Sequence, residues 1–395
     1  MVKPVVAAID MGYGHLRPAT ALADQLGAEV RSMDAPPLGE ARDREFWDGV
    51  RRFYEPLTRF SQLPGLGPPA RALLNAITAI PPPAQDLSAP TQGTRWLLRA
   101  ARSGVGRRLA EHLEETGAPL LTTFYAAAVL AEIHGARRLH CVVTDCDVNR
   151  VWVPQEAKGT AITYFAPTDP TRQRLLSYGV PPGRVRVTGF PLPGGLVGRE
   201  RKELKENFHS RMERLSGRGG PPLIVFAIGG AGAQVPLARQ AISGMERRIR
   251  EGELRLALVA GRRPEVAAAL GGALRAHGLE GHPGVELLYD PDVFGYIRRF
   301  NALLAHADAL WSKPSELVFF TALGLPFISA PPVGMHEVAN LRWASGQGAA
   351  LAQEDPAGAG EWLSAWIREG VLARAAEAGL RLPQGGLYEI ADSLG

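Results

Sequence analysis

The strongest constraint on the fold is an alternation of short apolar runs with helix-length segments, which occurs twice along the 395 residues. In the first stretch, Pro4 to Asp10, Glu29 to Asp34, Pro119 to Phe124, Leu139 to Thr144, Thr160 to Pro167 and Arg184 to Gly189 read as strands. Helical patterns cover Leu16 to Leu26 and Ala126 to His134. In the second stretch, the strand runs are Leu223 to Ile228, Leu254 to Ala260, Val285 to Tyr289, Ala309 to Ser312 and Pro326 to Ala330. Strands separated by crossover helices build parallel sheets, and a chain of this length exceeds one ordinary core. The spacing therefore predicts an α/β protein of two facing, Rossmann-like, doubly wound parallel-sheet domains. The expected bounds are 1–195 for the first domain and 196–222 for a charged, glycine- and proline-rich connection. Residues 223–375 form the second domain, and 376–395 a terminal segment able to return to the first.

Composition removes several classes of function. Lys and Arg number 44 against 40 Asp and Glu, a net charge of only +4, and the basic residues are spread along the chain, which argues against nucleic acid as the main partner. Nearly all the cations are arginine, a residue suited to phosphate. Cys141 and Cys146 have no partner at zinc-ligand spacing, and a reduced cytoplasm fits them best. Val5 to Ile9 is too short for a signal-peptide core, and no apolar run is long enough to span a bilayer.

Glycine turns follow the first strand of each domain: Gly12-Tyr13-Gly14-His15 and Gly229-Gly230-Ala231-Gly232-Ala233-Gln234. Arg17 and Val235 stand where the third glycine of a dinucleotide fingerprint would be, so nicotinamide or flavin binding is not expected. Both turns still allow backbone N–H groups to approach a phosphate or a sugar, and a plain strand-to-helix turn is the competing reading. His15, just before the first helix, is a candidate general base; a structural histidine bonding its own turn is the alternative. Gly12, Gly14 and Arg17 would lie beside it.

The stretch Trp311-Ser312-Lys313-Pro314-Ser315-Glu316-Leu317 looks like a strand end, an N-cap at Ser315 and a helix over Leu317 to Leu323. Free N–H groups and the helix dipole would face an anion there, with Ser312, Lys313 and Ser315 adding donors. A strand-to-helix turn with solvated polar residues competes with that reading. His336-Glu337-Val338-Ala339-Asn340 lacks the second histidine of a zinc motif, which leaves sugar hydroxyls as the better use of Glu337. Thr144-Asp145-Cys146-Asp147 spells D-x-D, and Asp145 is read as a carboxylate near an acceptor rather than as a metal ligand. Between Arg42 and Ile80, Trp47, Phe53, Tyr54, Leu57, Phe60, Leu73 and Leu74 alternate with Arg44, Arg51, Arg52, Arg59 and Arg71, flanked by Pro64 to Pro69 and Pro81 to Pro83. Such a pattern can lie on an anionic membrane, though it also describes a packed helix with a solvated face.

With these residues assembled, the chain resembles the GT-B glycosyltransferases, in particular family 28, the group containing the lipid II N-acetylglucosaminyltransferase, monogalactosyldiacylglycerol synthase and processive diacylglycerol glucosyltransferases. The likeness rests on Val142-Val143-Thr144-Asp145, Arg150-Val151-Trp152, Tyr164 to Thr168, Gly179-Val180-Pro181 and Val185 to Pro191 in the first domain. In the second it rests on Ser312 to Ser315, Ala322-Leu323-Gly324-Leu325-Pro326 and the G-x-x-E-x-x-N spacing of Gly334, Glu337 and Asn340. The resemblance implies an acceptor-binding first domain and a donor-binding second one. It places the diphosphate on Gly230, Ala231, Gly232, Ser312, Lys313, Pro314 and Ser315, the donor sugar on His336, Glu337 and Asn340, and the acceptor near His15 and Asp145. It further implies hexosyl transfer from a nucleotide sugar, with a UDP-sugar expected, to a hydroxyl or lipid acceptor, by inversion, without metal or resident cofactor, in the cytoplasm or at the inner face of the membrane. Two departures stand out: Phe319 falls near the usual ribose-binding glutamate, and His336 replaces a glutamine. A nucleotide-sugar epimerase of the same fold, or a binding protein without transfer chemistry, are the alternatives.

Overall fold

Leu223 to Ala227 reads Leu-Ile-Val-Phe-Ala with every residue buried, a pattern that suits a central strand of a parallel sheet covered on both faces. A computed structural model describes residues 2–60, 79–230 and 232–394, the side chains of 54–60 excepted. Two compact units account for these residues, one formed by 2–57, 79–193 and 383–394 and the other by 58–60, 194–230 and 232–382.

The first unit runs β1 (Val5–Ala8), α1 (Tyr13–Leu26), β2 (Val30–Ser32), α2 (Ala41–Phe60), α3 (Gln92–Arg102), α4 (Arg107–Thr116), β3 (Leu120–Thr122), α5 (Tyr125–Ile133), β4 (Leu139–Val142), β5 (Ile162–Ala166), α6 (Asp169–Ser177) and β6 (Val185–Val187). Its six strands lie in the order β2-β1-β3-β4-β5-β6, every neighbouring pair parallel. The order reverses direction between β1 and β3, the point at which open α/β sheets bind ligands.

The second unit runs α7 (Gly194–Val197), α8 (Lys202–Leu215), β7 (Leu223–Ala227), α9 (Val235–Arg250), β8 (Arg255–Gly261), α10 (Pro264–Ala276), β9 (Val285–Tyr289), α11 (Val293–His306), β10 (Ala309–Ser312), β11 (Phe327–Ser329), α12 (Met335–Gly346), β12 (Ala350–Ala352), α13 (Ala359–Arg368) and α14 (Val371–Leu380). The strand order is β12-β11-β10-β7-β8-β9, again all parallel, with its reversal between β7 and β10. β12, a short edge strand, is additional to the runs read from the sequence.

Residues 196–222, expected as a connection, fall within the second unit, which starts again at residue 194. Arg211 of α8 is 1% exposed and donates to the carbonyls of Ala307 at 2.8 Å, Leu323 at 2.9 Å and Gly324 at 3.0 Å. Burial pushes its pKa down to about 10. The terminal helix α15 (Gly386–Leu394) packs on α1 within the first unit.

The helix expected to follow Ser315 is a 3₁₀ segment, Glu316–Leu323, buried at every residue. It ends at Gly324, whose φ of +63° and close neighbour Phe208 leave no room for a side chain.

The membrane-facing pattern of α2 resolves differently from its alternation with arginine. Trp47 is 1% exposed in the core of the first unit, touching Phe124 at 5.3 Å between ring centroids. Phe46 stacks on Trp96 at 5.0 Å, and Phe53 alone of these three α2 aromatics is well exposed, at 58%. Arg51 is drawn into ion pairs with Asp34 and Asp48. Arg71, Leu73, Leu74 and Pro64 to Pro69 lie outside the described residues, as do the side chains of Tyr54, Leu57, Arg59 and Phe60. Among the described residues no helix is long and apolar enough to cross a membrane.

Candidate active site

The reversal of strand order in the first unit puts the ends of β1 and β3 side by side. α1 begins at Tyr13, two residues ahead of His15, so the histidine sits in the first turn rather than before the helix. Gly12 caps it with φ +123°, a conformation that favours glycine. His15 Nδ1 lies 2.7 Å from the Thr123 carbonyl just after β3, and the Thr123 hydroxyl returns a bond of 2.7 Å to the His15 carbonyl. A ring nitrogen facing a carbonyl must carry the proton, which places the basic lone pair of the neutral ring on Nε2. Phe124 meets the ring edge-on at 5.0 Å, and Trp152 stands 6.4 Å away. The histidine is thus tied to its turn, as the structural reading expects.

Arg17 is 3% exposed, its guanidinium 5.3 Å from the Tyr13 ring centroid, so it supports the turn more than it faces solvent. Gly14 occupies the first turn of α1. Asp145 follows β4 at the same edge of the sheet and is half-buried, its carbonyl accepting from the Thr171 hydroxyl at 3.1 Å. Asp147, the other half of the D-x-D spelling, accepts from Nε and Nη2 of Arg174, at 2.8 and 2.9 Å.

In the second unit the reversal between β7 and β10 brings together two segments far apart in sequence. The Gly229 to Gly232 turn leaves β7, and Ser312 to Ser315 leaves β10. Gly229 N–H donates to the Gln234 side-chain oxygen at 2.8 Å, the Gly230 carbonyl accepts from Arg263 Nε, and Gly232 has φ +72°. A β-carbon on Gly229 would lie 2.7 Å from Lys313 Cε, so glycine there is what lets the lysine lie across the turn. Ala231 lies outside the described residues.

Not every expected phosphate or sugar contact presents itself to a ligand. Ser312 is 1% exposed and its hydroxyl donates to the Ala227 carbonyl at 2.8 Å, joining β10 to β7. Asn340 is fully buried and donates to the Pro314 carbonyl at 3.2 Å. Both hold the loop in place. Ser315 occupies the cap position of the 3₁₀ segment without a side-chain cap, and its N–H is bonded to the Lys313 carbonyl at 2.8 Å.

Lys313 and Glu337 form the electrostatic centre of this edge. Lys313 Nζ donates to Glu337 Oε1, while the Val333 N–H donates to Oε2 at 2.8 Å. The lysine side chain is 24% exposed and the glutamate 1%. Burial opposes ionisation of Glu337. The Lys313 charge, then His336 and the hydrogen bonds, outweigh it and hold the carboxyl below the ordinary carboxylate range. His336, 30% exposed, lies 4.0 Å from the same oxygen.

Comparison with solved structures covers nearly the whole chain. Acinetobacter baumannii MurG superimposes with a TM-score of 0.52 at 15% identity, covering 98% of this chain and 97% of that one. The S. aureus MnaA–UDP structure gives 0.51 at 15% identity, with 95% and 91% covered. UDP-GlcNAc 2-epimerase from Neisseria meningitidis, bound to UDP-GlcNAc, gives 0.50 at 15% identity, with 98% of each chain covered. The chain has the GT-B fold. Among curated proteins, the processive diacylglycerol beta-glucosyltransferase of Bacillus subtilis (strain 168) is 22% identical over 213 residues, and that of Bacillus licheniformis is 23% identical over 214. In each case 53% of this chain and 49% of the relative are matched, so the GT-B chain spans about half the length of the curated relatives it matches. No protein-family model matches it.

Phe319, which the resemblance sets near the usual ribose-binding glutamate, is 2% exposed and packed on Trp343 at 5.3 Å. Glu316 is itself buried, within the 3₁₀ segment. Sequence reasoning passed over Thr123 and Arg263, and gave Gln234 no role beyond its place in the glycine turn. Thr123 carried no motif, but Arg262-Arg263-Pro264 after a strand was a visible signal, since cations between a strand end and a helix-starting proline lie at the carboxyl edge of a parallel sheet.

Proposed function

We propose that the chain is a glycosyltransferase that moves a hexosyl group from a nucleotide sugar, a UDP-sugar in the first instance, to a hydroxyl acceptor. The observation that carries this reading is the Lys313–Glu337 pair lying against a glycine turn at the strand-order reversal of the second sheet. Support comes from the sequence relatives, named diacylglycerol glucosyltransferases, and from fold relatives solved with UDP or UDP-GlcNAc.

In this proposal the second unit holds the donor. Lys313, the Gly230 to Gly232 turn and Ser315 take the diphosphate, with His336 and Glu337 toward the sugar. For Glu337 to meet sugar hydroxyls, Lys313 must exchange its carboxylate partner for phosphate oxygens. On the first unit, His15 Nε2 removes the acceptor proton, the acceptor oxygen attacks the anomeric carbon, and the bond to the diphosphate breaks on the opposite face. A single displacement of this kind inverts the anomeric centre. Charge building on the leaving diphosphate is met by Lys313 and backbone N–H groups, an arrangement that requires no metal. Asp145 is assigned to the acceptor side. The relatives' names favour a lipid acceptor, with peripheral membrane contact on the cytoplasmic face as its consequence.

Thermal-shift measurement with UDP, GDP, ADP and dTDP and their sugar conjugates tests the donor site, since a ligand that binds only the native state raises its melting temperature. One nucleotide should stand out, and Lys313→Ala with Ser315→Ala should abolish its effect. An epimerase is the second reading, favoured by the full-length likeness to UDP-GlcNAc 2-epimerase. Product analysis with donor alone separates them, because an epimerase changes the sugar without an acceptor.

A further inference from the structure

The glycine turn of the second unit is flanked by cations on two sides. On the β10 side lies Lys313, whose charge is matched by Glu337. That pair brings no net charge to an anionic ligand. On the β8 side lies Arg263, the residue before α10, reached because β8 is the other neighbour of β7. Its Nε donates to the Gly230 carbonyl, and its Cδ would stand 3.9 Å from a β-carbon placed on Gly232. The side chain is 23% exposed, so it is anchored by the turn and still partly open to solvent. Its carboxylate neighbour, Glu265, lies 3.3 Å from Nη1 but is 54% exposed, and an ion pair so hydrated neutralises little. Arg262, the next residue back, bonds the Pro291 carbonyl instead.

We propose that Arg263 is a further donor-site residue, supplying the permanent positive charge that the Gly229 to Gly232 turn offers to a diphosphate. The proposal rests on the reading of this edge as a nucleotide-sugar site. A guanidinium stays charged at any working pH, gives up its hydration more readily than an ammonium, and pairs with phosphate oxygens through a planar fork. Arg263 can act through its charge while still holding Gly230. In that role it favours a nucleoside diphosphate over a monophosphate or a bare nucleoside.

The test is calorimetric titration of the full chain with UDP, UMP and uridine. Wild type is compared with Arg263→Gln, Arg263→Lys and, as a control for overall charge, Arg275→Gln, which pairs with Glu280 at the far end of α10. Loss of one charge-assisted contact should weaken UDP about tenfold in Arg263→Gln while uridine changes less than about twofold. Arg263→Lys should recover part of the UDP affinity, Arg275→Gln should match wild type, and added salt should shrink the difference between wild type and Arg263→Gln. Equal weakening of UDP and uridine would reduce Arg263 to a brace for the turn, and unchanged UDP binding would remove it from the site; either overturns the proposal. Failure of wild type to bind UDP, UMP or uridine overturns the reading of this edge as a uridine-nucleotide site, and the Arg263 proposal with it.

Discussion

Lys313 and Glu337 show how one buried charge depends on another. With its carboxylate 1% exposed, Glu337 relies on the lysine for its ionised state. Lys313→Met should therefore destabilise the protein by roughly 3 kcal/mol, as removal of one partner from a buried pair does. Adding Glu337→Gln should restore much of the loss, measured as chemical denaturation midpoints. The depressed carboxyl contributes stability above its unfolded pKa near 4.5, and that contribution fades as pH falls through the lower folded value. His15 is the residue on which chemistry turns. His15→Ala should lower kcat roughly 10²- to 10⁴-fold, the usual range for a general base, with nucleotide affinity unchanged. A parallel loss of UDP binding would argue that the histidine merely braces its turn.

At the scale of elements, α2 separates the apolar pattern from what it faces. Trp47 fills the core of the first unit, so Trp47→Ser should cost about 3–5 kcal/mol, whereas Phe53→Ser on the exposed side should change stability little. If Phe53 contacts a membrane, Phe53→Ser alone should reduce sedimentation with anionic liposomes; unchanged sedimentation removes that role. The 3₁₀ segment Glu316–Leu323 packs on α14 so closely that a β-carbon at Gly379 would lie 2.2 Å from the Thr321 carbonyl. Gly379→Ala should accordingly lower the melting temperature by forcing the two apart, at about 1–3 kcal/mol. Sequence periodicity located nearly every strand because parallel strands are continuous apolar runs. It could not distinguish an α-helix from a 3₁₀ turn over Glu316 to Leu323, since both bury all eight residues. Nor could it foresee that Ser312 and Asn340 would spend their polar groups on neighbouring carbonyls, a matter of tertiary distance rather than of spacing.

Across the whole molecule, the two sheets share one logic: each reverses its strand order next to a glycine turn. That much was legible, because turns after first strands are marked by glycine. The cations that serve the turns were less so, because Arg263 reaches Gly230 only through the adjacency of β7 and β8. Stability as a whole should carry an acid-sensitive component from His140. Burial, then the charges of Arg138, Arg186 and Arg184, push its pKa down to about 4 from an ordinary 6.5. The unfolded chain binds the proton first, so stability should fall as pH drops from 6.5 towards about 4, by up to about 3 kcal/mol. His140→Leu should flatten that part of the pH profile relative to wild type.

The most direct measurement is the fate of a UDP-sugar incubated with the full chain, with and without vesicles carrying diacylglycerol, followed by UDP release and by NMR of the sugar. The account predicts UDP release only when an acceptor is present, an inverted glycosidic linkage in the product, and loss of both in His15→Ala. A sugar epimerised with no acceptor, or no release of nucleotide from UDP-, GDP-, ADP- or dTDP-sugars with any acceptor class, would contradict it.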